Sequence, residues 1–405
     1  MNSRKMAIVS SYSESCGNAA FTRILHDSIE HYREDMQVEV VELDLKLLQS
    51  INRQVRAKGD EHIRDICDRL KQYDLVNIQM EAGLYGTLPR DIVGRFKQLV
   101  SANKNTSVTL HSPRLISSAQ SGARSAIKKL LRFDIKGGLK DFIGDKYAQI
   151  HLNINKKIIT AAIKKNALLI VHTLRSQKQI KDFFSYDNIV VHPLKMVPVD
   201  YVKDDATFDR IVRQANFAEG DRLVGMFGYI SAYKGHVDAM KAIEQLPENY
   251  KLLIFGRQHP QTLKSNGKTD EYLDLLVKLV KKSPLLKNRV YFMGELNDTH
   301  FLDVVSRVDV AWLPYYENGQ DGSGIASICL DLCPRVLCST SFAFDELFKL
   351  VSYNNVMRFD IGNTLEMALK TEMFLREEKS DGPFCDETIY SLESQAVAYV
   401  SGGAA

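Results

Sequence analysis

No apolar run in these 405 residues approaches the roughly 18 that a membrane-spanning helix needs. The N-terminus is not a basic, then apolar, then small-residue segment of the kind that directs secretion. Cysteine is scarce, with six in all, at Cys16, Cys67, Cys329, Cys333, Cys338 and Cys385. With no export signal they read as reduced thiols, and the chain as cytoplasmic. Cys329, Cys333 and Cys338 cluster without Cys-x-x-Cys spacing or a nearby histidine, so small buried hydrophobes fit better than a metal site. An excess of either charge is also missing. The net charge is +3, which gives no global case for nucleic acid. There is no short-period repeat and no low-complexity tract. What is present is ordinary globular composition, 45% hydrophobic and 25% charged, in a length that suits two domains.

The charge is nevertheless unevenly spread. Residues 114–182 carry fifteen Lys and Arg against four Asp and no Glu, a local excess of +11 that leaves the remainder at −8. Such a block suits an anionic partner, and solvated helical lysines are the alternative reading.

Along the chain, short apolar runs alternate with segments of helical spacing. Strands are expected at Lys5–Ser10, Val38–Leu43, Leu75–Gln79, Ser107–Leu110, Ala167–His172 and Ile189–His192. Residues 117–165 read as basic helix interrupted at Gly137-Gly138. A poorly periodic stretch, Leu194–Phe217, marks the domain boundary. The alternation then resumes, with strands at Leu223–Phe227, Tyr250–Phe255, Val290–Met293, Val308–Leu313 and Val336–Ser339. Thr388–Val400 reads as a terminal helix. This is the pattern of doubly wound parallel sheets, in which ligands sit off the carboxyl ends of strands. Gly17, Asn18, Gln79, Glu81 and His111 all fall there.

One stretch stands out. Val224–Gly235, VGMFGYISAYKG, is a strand, a turn at Gly228, and Lys234-Gly235 ahead of an amphipathic segment. A strand–glycine–helix turn aims backbone N–H groups and a helix dipole at one point, and a lysine beside it adds a mobile charge. That is a phosphate site in outline. On its own the motif is weak, because many α/β proteins carry a glycine after a strand and a solvated lysine.

In its surroundings the stretch resembles the donor-phosphate loop of retaining GT-B glycosyltransferases (group 1, family 4-like). Other segments resemble that family in the same order. Ser15-Cys16-Gly17-Asn18-Ala19-Ala20-Phe21-Thr22 is similar to a "CGIATFT" turn, and Asp74–Gly86 to "DVVHIQHEYGLFG". Val108–His111 matches a "VTLH" strand end, and Ala167–His172 resembles a "VIVH" strand. LLIFGR and VYFMGELND resemble the strands whose ends hold the nucleoside base. Val308–Asp331 lies where the family carries a paired-glutamate motif, E-x7-E. Three departures stand out. Tyr229 follows Gly228 where Arg is usual. Asp321-Gly322-Ser323-Gly324 replaces "EGFG". Cys329 occupies the second acidic position, where a thiol cannot replace the carboxylate that holds the ribose; Asp331, two residues on, is a weak substitute.

The resemblance implies an α/β protein of GT-B architecture, two Rossmann-like domains facing a central cleft. The first, residues 1–195, would receive the acceptor, with a terminal helix at about 385–400 packing back on it. The second, 196–384, would hold the donor. It implies hexosyl transfer from a UDP- or GDP-linked sugar to a growing glycan, with retention and with neither cofactor nor metal. Lys234, His111 and Asp321 would be the catalytic set: phosphate charge, sugar contact and sugar-hydroxyl acceptor. Gly17, Asn18, Gly228, Tyr229, Gly256, Arg257, Gly294, Glu295, Leu296, Ser323, Gly324, Ile325 and Cys329 would line the donor. Gln79 and Glu81 would lie on the acceptor side. With a lipid-linked acceptor, the basic block would touch an anionic membrane from its inner face. Two other readings stay open. One is a non-catalytic relative acting as a binding or scaffold partner, favoured by Tyr229 and Cys329. The other is a transferase acting on modified DNA, opposed by the near-neutral total charge.

Overall fold

The structure is a computed structural model that describes residues 3–14, 16–116, 135–258, 270–350, 355–376 and 390–400. The chain divides into two compact units, one of Met1–Pro193 with Ser391–Ala405 and one of Leu194–Tyr390.

The first unit is built on a six-stranded sheet of β1 (Arg4–Ser10), β2 (Met36–Glu42), β3 (Leu75–Met80), β4 (Thr106–Leu110), β5 (Leu168–Val171) and β6 (Ile189–Val191). All pairings are parallel, in the order β2-β1-β3-β4-β5-β6. The central strands are covered on both faces, so they read as continuous apolar runs rather than alternating ones. Met6, Ala7, Ile8 and Val9 are all fully buried. The terminal helix Leu392–Val400 lies against the first helix, Gly17–Tyr32, within this unit.

Polar residues break the apolar pattern of this sheet in one place. Asn77 on β3 donates to Ser107 Oγ at 2.9 Å and Thr109 Oγ1 at 3.1 Å on β4. All three, with Gln79, are buried. The ladder runs toward the carboxyl ends of β3 and β4.

The second unit repeats the scheme with β7 (Arg222–Phe227), β8 (Tyr250–Phe255), β9 (Val290–Gly294), β10 (Val310–Leu313), β11 (Val336–Ser339) and β12 (Val356–Phe359). The parallel order is β12-β11-β10-β7-β8-β9. The chain winds outward from β7 through β8 to β9, then crosses back to β10 on the other side of β7. The switch point is therefore the junction of β7 and β10, where loops after adjacent strands part and leave a crevice. The only tryptophan, Trp312 on β10, is fully buried here, and its Nε1 donates to Thr371 Oγ1 at 3.0 Å.

The structure corrects three local expectations. Gly137-Gly138 does not interrupt a helix but lies inside Ile135–Ile163, since each glycine costs only about 1 kcal/mol against a long run of hydrogen bonds. The stretch Leu194–Phe217, read as poorly periodic, contains the helix Asp205–Ala215, whose N-cap Asp204 accepts from Ala206 N. β12 went unread because it is four residues at a sheet edge with Arg358 in it. Residues 117–134, in the basic block, lie outside the described residues, as does the start of the expected terminal helix. Among the described residues, no helix is long and apolar enough to cross a membrane.

Candidate active site

The turn after β7 is held by glycines that no other residue could replace. Gly228 has φ +87, and its N–H donates to Phe255 O at 2.9 Å. Gly235 has φ +74, and a Cβ there would stand 2.0 Å from Pro314 O. At Gly256, φ +151, a Cβ would stand 2.1 Å from Gly228 O. The loops after β7, β8 and β10 thus approach one another backbone to backbone, which only residues without side chains allow.

Lys234 closes this cluster. It ends a short 3-10 turn, Ala232–Lys234, and its side chain folds back so that Nζ donates to Phe227 O at 2.9 Å. A Cβ on Gly228 would lie 2.5 Å from that Nζ. The ammonium also lies 5.3 Å from the centre of the Tyr315 ring. Lys234 is buried, and loss of water pushes its pKa down to about 8. A buried cation with one carbonyl partner is under-satisfied, and an arriving phosphate would restore what burial removed.

Across the switch point, the loop after β10 leads to the helix Gly324–Leu332. Ser323 is its N-cap and accepts from Ala326 N at 3.2 Å. Asp321 is buried just ahead of the cap. Ile325 reaches Gly228, where an added Cβ would meet its side chain at 3.2 Å. One helical turn on, Cys329 is fully buried, and desolvation drives its thiol pKa well up, so it is neutral. Two residues on, Asp331 accepts from Lys195 Nζ through Oδ1 at 2.7 Å.

The ends of β8 and β9 complete the edge. Gly256 N donates to Gly294 O at 2.7 Å, and Arg257 Nε pairs with Glu295 at 3.1 Å. The Arg257 guanidinium stands 5.8 Å from the centre of the Tyr229 ring. Leu296 follows, half-buried. Gly228, Tyr229, Lys234, Gly256, Arg257, Gly294, Glu295, Ser323, Gly324, Ile325 and Cys329 thus all lie at or just past the carboxyl ends of β7, β8, β9 and β10.

The remaining candidates, Gly17, Asn18, Gln79, Glu81 and His111, belong to the first unit. The helix Gly17–Tyr32 starts at Cys16 without a side-chain cap. His111 follows β4, and its Nε2 lies 2.7 Å from the Gln79 amide. His172, which follows the adjacent β5, had no role assigned from sequence. Its Nε2 meets His111 Nδ1 at 3.1 Å, and its Nδ1 meets the His192 carbonyl at 3.0 Å. A carbonyl only accepts, so His172 carries its proton on Nδ1 and takes one from His111 Nδ1. His111 Nε2 faces Gln79 Oε1, and the Gln79 amide nitrogen donates in turn to Asn77 Oδ1, which joins the imidazole pair to the polar ladder of β3 and β4. Burial and His172 hold the His111 pKa well below the usual range, which fits a neutral ring. Phe21 packs edge-on to both imidazoles, at 5.4 and 5.9 Å. Both nitrogens of His111 are thus engaged, which the sequence did not disclose. Glu81 is half-buried, and desolvation raises its carboxyl pKa.

Among the described residues, no group of three His, Cys, Asp or Glu is arranged to hold a metal ion.

Comparison with known proteins agrees with this arrangement. Residues 207–328 match the family described as glycosyl transferases group 1. No curated protein matches in sequence. Similar solved structures include HepE of Anabaena in complex with UDP, 14% identical over 98% of this chain and 94% of that one, with a TM-score of 0.58. Sucrose-phosphate synthase of Thermosynechococcus elongatus is 16% identical over 97% and 93%, with a TM-score of 0.59. A UDP-forming trehalose-phosphate synthase of Burkholderia xenovorans is 10% identical over 98% and 97%, with a TM-score of 0.56. With two six-stranded parallel sheets, and a second sheet whose switch-point segment carries the group 1 match, this chain has the GT-B fold of the glycosyltransferases.

Proposed function

We propose that the chain is a glycosyltransferase that moves a hexose from a nucleotide sugar, UDP-linked in the first instance, to a growing glycan. The observation that carries the reading is Lys234: a buried, depressed-pKa ammonium at the β7–β10 switch point, inside the segment that matches the group 1 family. HepE, which shares the fold, is seen with UDP and with UDP-glucose, and that supports a uridine donor here.

In this reading the departing diphosphate is met by Lys234 and by the first amides of the helix Gly324–Leu332, whose dipole favours an anion. Preorganised charge of this kind acts where the negative charge develops and needs no metal. Asp321 accepts from hydroxyls of the donor sugar. The anomeric C–O bond to phosphate breaks, and the acceptor oxygen forms a bond on the same face. The leaving phosphate takes the acceptor proton, so configuration is retained without a protein base. His111 lies on the acceptor-domain side as a neutral, prealigned imidazole. A lipid-linked acceptor would bring the basic block 114–182 to an anionic membrane. Binding to anionic vesicles that falls with salt supports this, and indifference to lipid charge counts against it.

A second reading has one observation in its favour. The buried neutral Cys329 stands where the resemblance implies a ribose-binding carboxylate, as a non-catalytic relative would allow. A thermal-shift panel of UDP, GDP, ADP, CDP and their sugar conjugates separates the two. Ligand at 100 times its dissociation constant adds about 2.7 kcal/mol to stability. Stabilisation by one nucleotide, lost in Lys234→Met, supports the transferase. No response to any of them favours the non-catalytic relative.

A further inference from the structure

The β7 turn is short of positive charge for the ligand assigned to it. A nucleoside diphosphate brings at least about two negative charges. Lys234 is buried and already bonded to Phe227 O, and a helix N-terminus supplies only about half a charge. A second cation is needed at the same edge of the sheet.

Arg257 is placed to be that cation. β7 and β8 pair in register through Phe227 and Phe255. Ile230 N donates to Arg257 O at 2.9 Å, which ties the residue after β8 to the turn after β7. Gly256 packs on Gly228, and Gly228 packs on Lys234 Nζ. Arg257 is therefore two glycines away from the ammonium through direct contacts. Its guanidinium lies over Tyr229, near the outer limit of about 6 Å for a cation on a ring face. Among the described residues it is ion-paired to Glu295 through Nε, and the two side chains are 41% and 45% exposed. A pair that open to water holds weakly. Among the described residues, the two terminal amino groups of Arg257 have no protein partner.

We propose that Arg257 is a diphosphate-binding residue of the donor site, held ready by Tyr229 and exchanging Glu295 for phosphate oxygens when the nucleotide enters. The inference rests on the donor reading above and adds a residue whose side chain that reading does not use. A guanidinium fork fits two phosphate oxygens at once, which a lysine cannot do. Glu295 has a second effect. It keeps the guanidinium compensated in the empty site and repels the diphosphate until Arg257 turns away from it.

The test is calorimetric titration of UDP and of uridine into the full chain, wild type against Arg257→Ala and Arg257→Lys. The expected result is a loss of about tenfold or more in UDP affinity for Arg257→Ala. Uridine affinity and the ligand-free melting temperature should stay at the wild-type value, and Arg257→Lys should fall between. Wild-type UDP affinity in Arg257→Ala overturns the inference and leaves the donor reading intact. Equal losses for UDP and uridine also overturn it, since Arg257 would then serve the base or brace the loop. A wild type that binds neither ligand overturns the donor reading itself, and this inference with it, whatever Arg257 does.

Discussion

Lys234 sets the pH behaviour of the site. Its folded pKa, about 8, lies below the ordinary lysine value of 10.5. A phosphate partner favours the charged form, so binding raises that pKa and takes up protons above pH 8. UDP affinity should therefore hold below pH 8 and weaken by up to about tenfold per pH unit above it, as titrations at pH 7, 8 and 9 would measure. Flat affinity across that range would mean that Lys234 does not meet the phosphate. The buried imidazoles act in the opposite pH range. The pKa of His236 is pushed down to about 3, chiefly by burial, and that of His111 lies well below the ordinary histidine value of 6.5. The unfolded chain then binds more protons than the folded one between these values and 6.5. Stability should fall steadily as pH drops below about 6.5, and denaturant midpoints at pH 7 and pH 5 would record it. Glycine 235 gives a steric test. Its φ is positive and an added Cβ would stand 2.0 Å from Pro314 O, so Gly235→Ala should destabilise by at least about 2 kcal/mol. Residue identities were legible in the sequence here, but their states were not. Nothing in "YKG" says that the lysine folds back onto its own strand, and nothing in "VTLH" says that both nitrogens of His111 are taken by His172 and Gln79.

At the scale of elements, the caps and strand ends carry the account. Ser323 caps the helix whose first amides would face the phosphate, and Ser323→Ala should cost about 1 kcal/mol of stability by losing the bond to Ala326 N. Nucleotide affinity should fall as well, since the frayed first turn would aim its amides less well. Eleven of the twelve strands were legible because parallel strands buried on both faces leave unbroken apolar runs. β8 and β11 fall on the expected residues, and the others shift by one or two. β12 lacks that signal, being a short edge strand whose Val356 and Phe359 are buried while Met357 and Arg358 are only partly covered. The helix Asp205–Ala215 was masked by the prolines and aspartates before it, although Phe208 and Ile211 sit at helical spacing and are buried.

At the scale of the molecule, the single tryptophan offers a reporter. Trp312 is buried in the core of the second unit, so its fluorescence follows the unfolding of that unit, while far-ultraviolet circular dichroism follows both. UDP should raise the fluorescence transition, because a ligand stabilises the unit that binds it. A shift confined to the remaining circular-dichroism signal would place the nucleotide elsewhere. The repeated β-α alternation made the two-sheet architecture readable, and the ordered motifs made its kind readable. The chain changes units between Pro193 and Leu194, where the poorly periodic stretch begins, and returns at Ser391, where the terminal helix packs on Gly17–Tyr32.

The central claim is that Lys234 and its glycine turn hold the diphosphate of a nucleotide sugar. The most direct measurement is calorimetric titration of UDP into the wild type and Lys234→Met at pH 7, with circular dichroism to show that both are folded. The account predicts one site per chain in the wild type, with affinity reduced at least tenfold in the variant, on the order of a lost charge-assisted contact. Equal affinity in the two folded proteins, or no binding by either, would contradict it.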